Sequence, residues 1–357
     1  MSDNKGTVLI TGLNGYIAGV TAEAFLKAGY SVRGTVRSAA SAKPLLDALA
    51  HYGRLSVVEV PDITQPGAFD EAVKGINYIA HLASPVAVSF NDPAAVINSA
   101  KTGALRVLES AHKEQSASSN SIKSLVFMSS AAAIRSPHNN GDDYVYTYTE
   151  KDWNTASEKE VAKLGKDAGF AVYEASKTAA ERAVWEFRNT HKPTFSISAI
   201  NPVFVAGPTA VVPSSPDKIP QTTKNIWSVA SGKPLAHASM ANIIPGLFDA
   251  YVDVRDVARV VIWGVEHPKE ADGERYILCA SFAPPQSVAD ILRREFPETE
   301  GKIEKGEPGK GYLPDYTFGS GEREAYDGSK IVKATGVEYL PWEKTVVDTY
   351  RRFESLL

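Results

Sequence analysis

The sequence predicts a doubly wound α/β fold of the Rossmann type, with a parallel sheet and a smaller C-terminal substrate lobe. Strand-like and helix-like runs alternate from the N-terminus, and a glycine-rich turn follows the first strand-like run. The segment KGTVLITGLNGYIAGVTAEAFLKAGYSVRGTVRS contains a short apolar strand, a glycine turn, a helical pattern and a β-branched strand. Such alternation is typical of a parallel sheet with helices on both faces.

The same alternation predicts the next elements in order. They are the strand LSVVEVPD, the helix-like PGAFDEAVKG, the strand INYIAHLAS, the helix DPAAVINSAKTGALRVLESAHKE and the strand SLVFMSSA. From about Arg135 to Gly169 the chain is polar, which predicts an exposed excursion with a solvated helix. The helix VYEASKTAAERAVWEFRNTH and one strand, FSISAINPVFVAG, complete this part.

The rest of the chain predicts the second lobe. The proline-rich stretch 208–245 favours loops, and DAYVDVRDVARVVIWGVEHP predicts a strand and helix that return to the first domain. We therefore expect a cofactor domain of residues 1–203 plus about 250–268, and a substrate lobe of about 204–249 and 269–357.

Composition excludes several classes of partner and site. The 357 residues carry a formal net charge of -4, which offers no attraction to nucleic acid. The single cysteine, Cys279, lies in the apolar run YILCA and predicts a buried inert thiol. Because we find neither a signal peptide nor an apolar span, we expect a cytoplasmic protein without a membrane partner. The seven scattered histidines predict no metal site, and His81 is interpreted as packed or hydrogen-bonded.

The turn TGLNGYIAG predicts a dinucleotide site. Gly12 and Gly15 allow a tight turn and close approach of a pyrophosphate to the helix N-terminus, and Ala18 is small enough for helix and strand to pack. The second strand ends at Arg37, where an NAD-selective site usually carries an acid, so we predict NADP(H) with Lys43 as a further contact. The remaining cofactor contacts expected at this end are Asn14, Tyr16, Ile17, Asp62 and Ile63.

Some of these residues have a second interpretation. Asp62 either accepts a hydrogen bond from the adenine amine or caps the turn before TQPGAF. Arg37 is alternatively a solvent-exposed arginine at a strand end.

Two Tyr-x-x-x-Lys motifs are candidates for the chemistry. Tyr173 and Lys177 lie on a predicted helix, where residues four apart share one face. Ser130 ends the strand SLVFMSSA, at the sheet edge where ligands bind. A phenol is a weak acid, so a proton-donating Tyr173 needs a nearby cation such as Lys177. The second copy, Tyr326 and Lys330, encloses Gly328 and predicts a turn that leads into a helix at Ile331.

These motifs resemble those of a known family. The order TGxxGYIA, TVR, HLASPV, VFMSSA, YEASK, NPVFVAGP and YVDVRDVAR resembles the extended short-chain dehydrogenase/reductases. It is most similar to the branch of dihydroflavonol reductases, cinnamoyl-CoA reductases and microbial NADPH-dependent carbonyl and aldehyde reductases.

The resemblance implies a role for further residues. It implies a catalytic triad of Ser130, Tyr173 and Lys177, with Tyr173 and Lys177 also contacting the cofactor. It further implies that Ala83, Ser84 and Pro85 line the cofactor and that Pro202 and Val203 lie by its carboxamide. Many members carry an asparagine of a proton relay in the fourth helix, and Asn98 is out of register for it.

We therefore expect reduction of a small aldehyde or ketone to the alcohol with NADPH, by a monomer or homodimer. The alternatives are a nucleotide-sugar epimerase or dehydratase and a non-catalytic NADP(H)-sensing protein. The sequence does not identify the carbonyl substrate; Phe90, Phe204, Ile226 and Trp227 are candidate pocket walls or core residues.

Overall fold

The computed structural model describes residues 4–84, 91–117, 122–136, 146–238, 249–317 and 324–357. The strands in these ranges are β1 Thr7–Ile10, β2 Ser31–Val36, β3 Leu55–Glu59, β4 Tyr78–His81, β5 Ser124–Met128, β6 Tyr146–Tyr148, β7 Ser196–Pro202, β8 Phe204–Ala206, β9 Ala250–Asp253, β10 Arg275–Leu278, β11 Ser281–Phe282 and β12 Glu324–Tyr326. The helices are α1 Tyr16–Lys27, α2 Lys43–Leu49, α3 Pro93–Ala117, α4 Ser157–Leu164, α5 Ala171–His191, α6 Lys224–Ala230, α7 Val254–Glu266, α8 Pro268–Ala271, α9 Pro285–Glu295, α10 Ser329–Thr335 and α11 Trp342–Phe353.

A seven-stranded parallel sheet forms the centre of the first part of the fold. Its strand order is β10-β7-β5-β4-β1-β2-β3. From β1 the chain winds outward to β3, then returns to the other side of β1 with β4. The order therefore reverses between β1 and β4, and a crevice at such a reversal is where ligands bind in open α/β sheets. The predicted fold class is confirmed.

Helices cover both faces of this sheet, as predicted. On one face α3 and α5 pack against each other, and their apolar side chains join those of the strands in one core that includes Val107, Val184 and Ile197. On the opposite face α7 approaches β5 closely: a Cβ on Gly264 would lie 2.9 Å from Val126 Cγ2. The inner strands β4, β5 and β7 are thus buried on both sides, which explains their apolar sequences.

The predicted helix over 66–75 is wrong. This segment is a series of turns, in which the amides of Ala68 and Asp70 bond to carbonyls three residues back. Gly67 has a φ of +72°, which interrupts a right-handed helix at its start. The segment is nevertheless packed against the sheet, since Phe69, Ala72 and Val73 all lie in the core.

The single strand predicted over FSISAINPVFVAG is two strands. β7 belongs to the central sheet, whereas β8 joins β9 and β11 in a separate three-stranded sheet. Between them, the amide of Val203 bonds to the carbonyl of Leu278 at 3.1 Å. The sequence stays apolar across this point because both strands are largely buried, so hydrophobicity alone does not reveal the change of sheet.

The chain divides into two compact units. Unit 1 comprises 1–138, 148–201 and 258–277, and unit 2 comprises 139–147, 202–257 and 278–357. Residues 250–257 thus group with unit 2, since β9 pairs with β8 and β11, and 269–277 group with unit 1, since β10 is a strand of the central sheet. That unit 2 binds the substrate stays a prediction.

Unit 2 has its own core. It is built mainly from α6, α9 and α11, where Trp342 is buried against Tyr251 and its indole N–H donates to Ser287 Oγ at 2.9 Å. Ile226 is fully buried in this core. Among the described residues, no helix is long and apolar enough to cross a membrane. The same ranges contain no group of three His, Cys, Asp or Glu side chains placed to hold a metal ion.

Candidate active site

The turn between β1 and α1 has the backbone that a dinucleotide requires. Gly12 has a φ of +69°, and a Cβ there would lie 3.1 Å from Ala83 Cα. A side chain would therefore be strained and would crowd the end of β4. The turn is closed by the Gly15 amide bonding to the Gly12 carbonyl at 2.9 Å.

The N-terminus of α1 is open to a ligand. Asn14 and Gly15 are exposed, Tyr16 and Ile17 are half-buried, and no acidic residue lies in the first turn. Ala18 is 3% exposed, so its methyl group fills the contact between helix and sheet as expected. The positive end of the helix dipole therefore faces solvent without a competing carboxylate, which suits a pyrophosphate.

A buried hydroxyl ties this turn to the end of β4. Thr11 Oγ1 accepts from the amides of Leu82 and Ala83 at 3.0 and 2.9 Å, and it lies 2.9 Å from His81 Nδ1. With both acceptor positions used, the Thr11 proton goes to Nδ1, so His81 is neutral with its proton on Nε2. Burial, with the Lys177 ammonium as the smaller cause, lowers the pKa of His81 to about 3.

The interpretation of His81 as a packed, hydrogen-bonded residue is confirmed. Its ring also stacks on Phe127, with ring centroids 5.8 Å apart. Cys279 is likewise buried, as expected, and burial raises the pKa of its thiol to about 12.

The residues predicted to select the cofactor lie on the surface after β2. Arg37 is exposed and makes no hydrogen bond or ion pair with the described part of the chain. Lys43 begins α2 and pairs with Asp47 at 2.8 Å, with both side chains exposed. Such an exposed pair contributes little to stability, so another anion easily replaces Asp47 as the partner of Lys43. A role for either cation at a 2′-phosphate stays a prediction.

Asp62 caps a turn, as one of its two interpretations states. One carboxylate oxygen accepts from the Thr64 amide and hydroxyl at 2.8 and 2.7 Å, and the other accepts from Gln65 Nε2. These bonds lower the pKa of Asp62. The neighbouring Ile63 is half-buried against the core of the central sheet. Contacts of both residues with an adenine stay predictions.

Ser130 stands where β5 ends. Its side-chain oxygen accepts from the amide of Ala132 at 3.1 Å, which starts the 3-10 turn Ala131–Ala133. This turn packs against α5. The Ala132 amide takes one acceptor position of Oγ, and the hydroxyl proton of Ser130 has no acceptor among the described residues.

Helix α5 carries Tyr173 and Lys177 on one face. The ammonium of Lys177 lies 5.9 Å from the centre of the Tyr173 ring. Lys177 is only 7% exposed, yet neither it nor the Tyr173 hydroxyl has a hydrogen-bond or ion-pair partner among the described side chains and backbone groups. A buried cation without a protein partner is expensive unless a ligand meets it. The first turn of α5 is held by Val172, which packs with Val96 of α3 and Val161 of α4.

The second Tyr-x-x-x-Lys motif forms a turn that leads into a helix, as predicted, although the helix begins at Ser329 rather than at Ile331. Tyr326 ends β12, and Asp327 accepts from the amide of Ser329 at 2.9 Å where α10 begins. A Cβ on Gly328 would lie 2.4 Å from the Cys279 carbonyl oxygen, so only glycine fits at this turn.

The other predicted residues lie on several different segments. Ala83 and Ser84 are half-buried directly after β4, whereas Pro85 and Phe90 lie outside the described residues. Pro202 and Val203 belong to unit 2, and their contact with a cofactor stays a prediction. Phe204 and Trp227 are half-buried, and Asn98 is exposed on α3.

Sequence reasoning missed the polar residues that support Ser130. Asn201 Nδ2 donates to the Ser130 carbonyl at 3.1 Å, and Asn154 Nδ2 donates to the Ala132 carbonyl at 3.0 Å. Both asparagines are fully buried. The signal was the position of Asn201 at the end of an apolar strand, since a buried amide there must have partners.

The chain is similar to known oxidoreductases and to a family of epimerases and dehydratases. A model of the family described as "NAD dependent epimerase/dehydratase family" matches residues 8–279. The chain is 32% identical to NADPH-dependent methylglyoxal reductase of Saccharomyces cerevisiae, over 96% of each chain. It is 37% identical to aldehyde reductase 2 of Sporidiobolus salmonicolor, over 56% of this chain and 57% of that one. The crystal structure of yeast methylglyoxal/isovaleraldehyde reductase complexed with NADPH superposes with a TM-score of 0.80 at 29% identity, covering 98% of this chain and all of that one.

Proposed function

Because the chain belongs to the NAD dependent epimerase/dehydratase family, we propose that it reduces an aldehyde or ketone to the alcohol with NADPH. It is an oxidoreductase of the reductase branch and uses NADP(H), as its full-length reductase relatives do. The observation that carries the reaction is on α5: an unpaired phenol, Tyr173, beside a buried, unpaired ammonium, Lys177, within the described residues.

The cofactor fits the residues present. Gly12 leaves room for close approach of a pyrophosphate, and α1 offers its unblocked N-terminus. Arg37 stands exposed at the end of β2, where its guanidinium would bind the 2′-phosphate. When bound, the reduced nicotinamide supplies a hydride for the carbonyl carbon of the substrate.

The side chains supply the proton and the electrostatics. Tyr173 donates its phenolic proton to the carbonyl oxygen as negative charge develops there. Ser130 donates its hydroxyl proton in a hydrogen bond to the same oxygen, which stabilises the developing alkoxide. Lys177 stabilises the phenolate that Tyr173 becomes, and its ammonium also holds the ribose hydroxyls of the cofactor.

A nucleotide-sugar epimerase or dehydratase of the same family is the second candidate. Its support is the breadth of the family itself. Sugar epimerases typically keep NAD tightly bound and recycle it. Because NAD has no 2′-phosphate, a cation placed for that phosphate has no role in them. The exposed, unpaired guanidinium of Arg37 therefore favours the reductase.

The proposal is tested by cofactor oxidation. The purified protein is incubated with NADPH or NADH and a panel of aldehydes, aryl ketones and α-keto esters, and absorbance is followed. We expect turnover of several carbonyls with NADPH and much slower turnover with NADH. Tight NADPH binding without turnover of any carbonyl would instead favour a sensing protein. A monomeric or dimeric state and a cytoplasmic location stay predictions.

A further inference from the structure

A buried carboxylate lies one helical turn beyond Lys177. Tyr173, Lys177 and Glu181 are spaced four apart on α5, so they line one face of the helix. Glu181 is 0% exposed. The reaction proposed above gives it no role, and a buried carboxylate is retained only where its partners compensate for lost hydration.

Four donors meet the two oxygens of Glu181. Arg275 Nε donates to Oε1 at 2.6 Å and Trp185 Nε1 donates to it at 3.2 Å. Asn201 Nδ2 donates to Oε2 at 2.7 Å, and the Ser129 hydroxyl donates to the same oxygen. Every donor is a protein group, and an acceptor-only carboxylate satisfies all four at once. Glu181 is therefore a fixed junction with no room for a ligand.

Two of these donors lead directly to Ser130. Ser129 is its neighbour in the chain, at the end of β5, and its amide bonds to the Ile200 carbonyl at 2.9 Å. Asn201 divides its amide group between Glu181 and the Ser130 carbonyl, at 2.7 and 3.1 Å. The carboxylate thus holds Ser129 directly, through the Ser129 hydroxyl, and holds Ser130 indirectly, through the amide group of Asn201.

Arg275, the third donor, connects Glu181 to the polar segment that follows the 3-10 turn Ala131–Ala133. The guanidinium of Arg275 lies 3.9 Å from the centre of the Trp153 ring, and its Nη1 donates to the carbonyls of Glu150 and Asp152 at 2.8 and 2.7 Å. Asn154 follows Trp153 in this segment. Its Nδ2 donates to the Ala132 carbonyl and its backbone amide donates to the Ala133 carbonyl. The turn that Ser130 begins is therefore supported at both of its ends.

We propose that Glu181 is a positioning residue, which locks the strand end carrying Ser130 to the helix carrying Tyr173 and Lys177. The inference rests on the proposed function, because it assigns Glu181 the task of keeping the serine and tyrosine hydroxyls on one substrate oxygen. Glu181 itself touches neither substrate nor cofactor. Its loss lowers the rate of the chemical step and leaves cofactor binding at the glycine turn unchanged, since the turn makes none of these bonds.

The chain offers a matched control on the same helix. Arg188 of α5 pairs with Asp272, at 2.5 Å, just before β10. That pair links the same helix to the same segment as Glu181 and Arg275 do, but the contacts of Asp272 are with Arg188 and the Ile197 amide, away from the end of β5. Replacing Asp272 therefore measures how kcat and NADPH binding change when α5 loses an ion pair that does not support Ser130.

The test compares Glu181→Gln and Asp272→Asn with the unchanged protein. The kcat per NADPH-binding site is measured with a carbonyl that the unchanged protein reduces, and the Kd for NADPH is measured by fluorescence titration. We expect kcat to fall about tenfold or more in Glu181→Gln, since small displacements of reacting groups cost this much. We expect the Kd of Glu181→Gln for NADPH to stay within about twofold of that of the unchanged protein. The kcat of Asp272→Asn and its Kd for NADPH should stay within the same limit. A kcat unchanged in Glu181→Gln would overturn the proposal.

Two further measurements keep the test decisive. If Glu181→Gln does not fold, Ser129→Ala removes one bond of the junction, and a kcat within twofold of the unchanged protein would overturn the proposal. If the unchanged protein reduces no carbonyl, the proposed function fails separately, and hydrogen exchange decides the positioning role. The amides of Ser129, Ala132 and Ala133 should exchange faster in Glu181→Gln than in Asp272→Asn; equal exchange in the two variants would contradict it.

Discussion

At the scale of single residues, the proposed reaction depends on the Tyr173 hydroxyl. Tyr173→Phe removes the proposed proton donor and leaves the ring, which packs on Phe170 with centroids 5.1 Å apart. General acid catalysis contributes typically 10²–10⁴-fold, so we expect kcat to fall by about that factor while NADPH still binds. Tyr326→Phe, in the structural copy of the motif, serves as the control. Near-normal turnover of Tyr173→Phe would exclude Tyr173 as the donor.

Arg37 is the residue that we expect to select NADPH over NADH. Hydrogen bonds to charged groups contribute about 1.5–3 kcal/mol, so Arg37→Ala should raise the KM for NADPH roughly 10- to 100-fold. The KM for NADH, which lacks the 2′-phosphate, should change by less than about twofold and is the internal control. Steady-state kinetics with both cofactors measure the two values. An equal loss for both would mean that Arg37 supports the loop rather than the phosphate.

His81 makes the stability of unit 1 depend on pH. Its pKa in the folded protein is about 3, against 6.5 for a free histidine, so between these values the unfolded chain binds a proton that the folded chain excludes. Stability from this group is therefore complete above pH 6.5 and decreases as the pH falls, by up to about 1.4 kcal/mol per pH unit.

The variant His81→Asn removes this titration and keeps an acceptor near the Thr11 hydroxyl. Urea unfolding between pH 6.5 and 4 should give a shallower loss of stability for this variant than for the unchanged protein. His51→Asn changes an exposed histidine and should leave the slope as it was. Parallel slopes for all three proteins would refute the assignment of His81 as a buried neutral base.

At the scale of elements, the β1–α1 turn relies on a glycine in the neighbouring strand. A Cβ on Gly34 of β2 would lie 2.2 Å from Leu13 Cδ2 and 2.7 Å from Leu13 Cβ, so Leu13 and the turn that contains it must shift. Overpacking of this kind costs about 1–3 kcal/mol. We expect Gly34→Ala to lower the free energy of unfolding by this amount and to weaken NADPH binding.

Gly301→Ala is the matched control for that substitution. A Cβ at Gly301 meets no atom within 4 Å, so its effect on stability should be below about 0.5 kcal/mol. Denaturant unfolding of both variants measures the difference. Equal stability of the two variants would mean that the turn adapts without cost.

The elements also explain what the sequence could and could not predict. Tyr173 and Lys177 could be singled out from the sequence because their spacing and the order of motifs are local properties of the chain. The junction at Glu181 could not, because its partners, Arg275 and Asn201, are distant in sequence, and only the fold brings them together. The helix predicted over 66–75 failed at Gly67, whose positive φ is not visible in an apolar pattern.

At the scale of the whole molecule, the parallel sheet was predictable because each βα segment buries apolar residues in a regular rhythm. The boundaries of the two units were harder to predict. Apolar residues continue from β7 into β8 and from β9 into α7, while the chain changes unit at 201–202 and 257–258. Pairing partners, rather than local hydrophobicity, decide where these changes occur.

In the proposed reaction the chain transfers a hydride from NADPH to a carbonyl carbon. The most direct test uses NADPH deuterated at both positions of C4 of the nicotinamide, with a carbonyl found by the substrate panel, and analyses the product by mass spectrometry. We expect an alcohol that carries deuterium on the carbinol carbon, in equal amount to the NADPH consumed. A product without deuterium at that carbon, or one formed without net oxidation of NADPH, would contradict it.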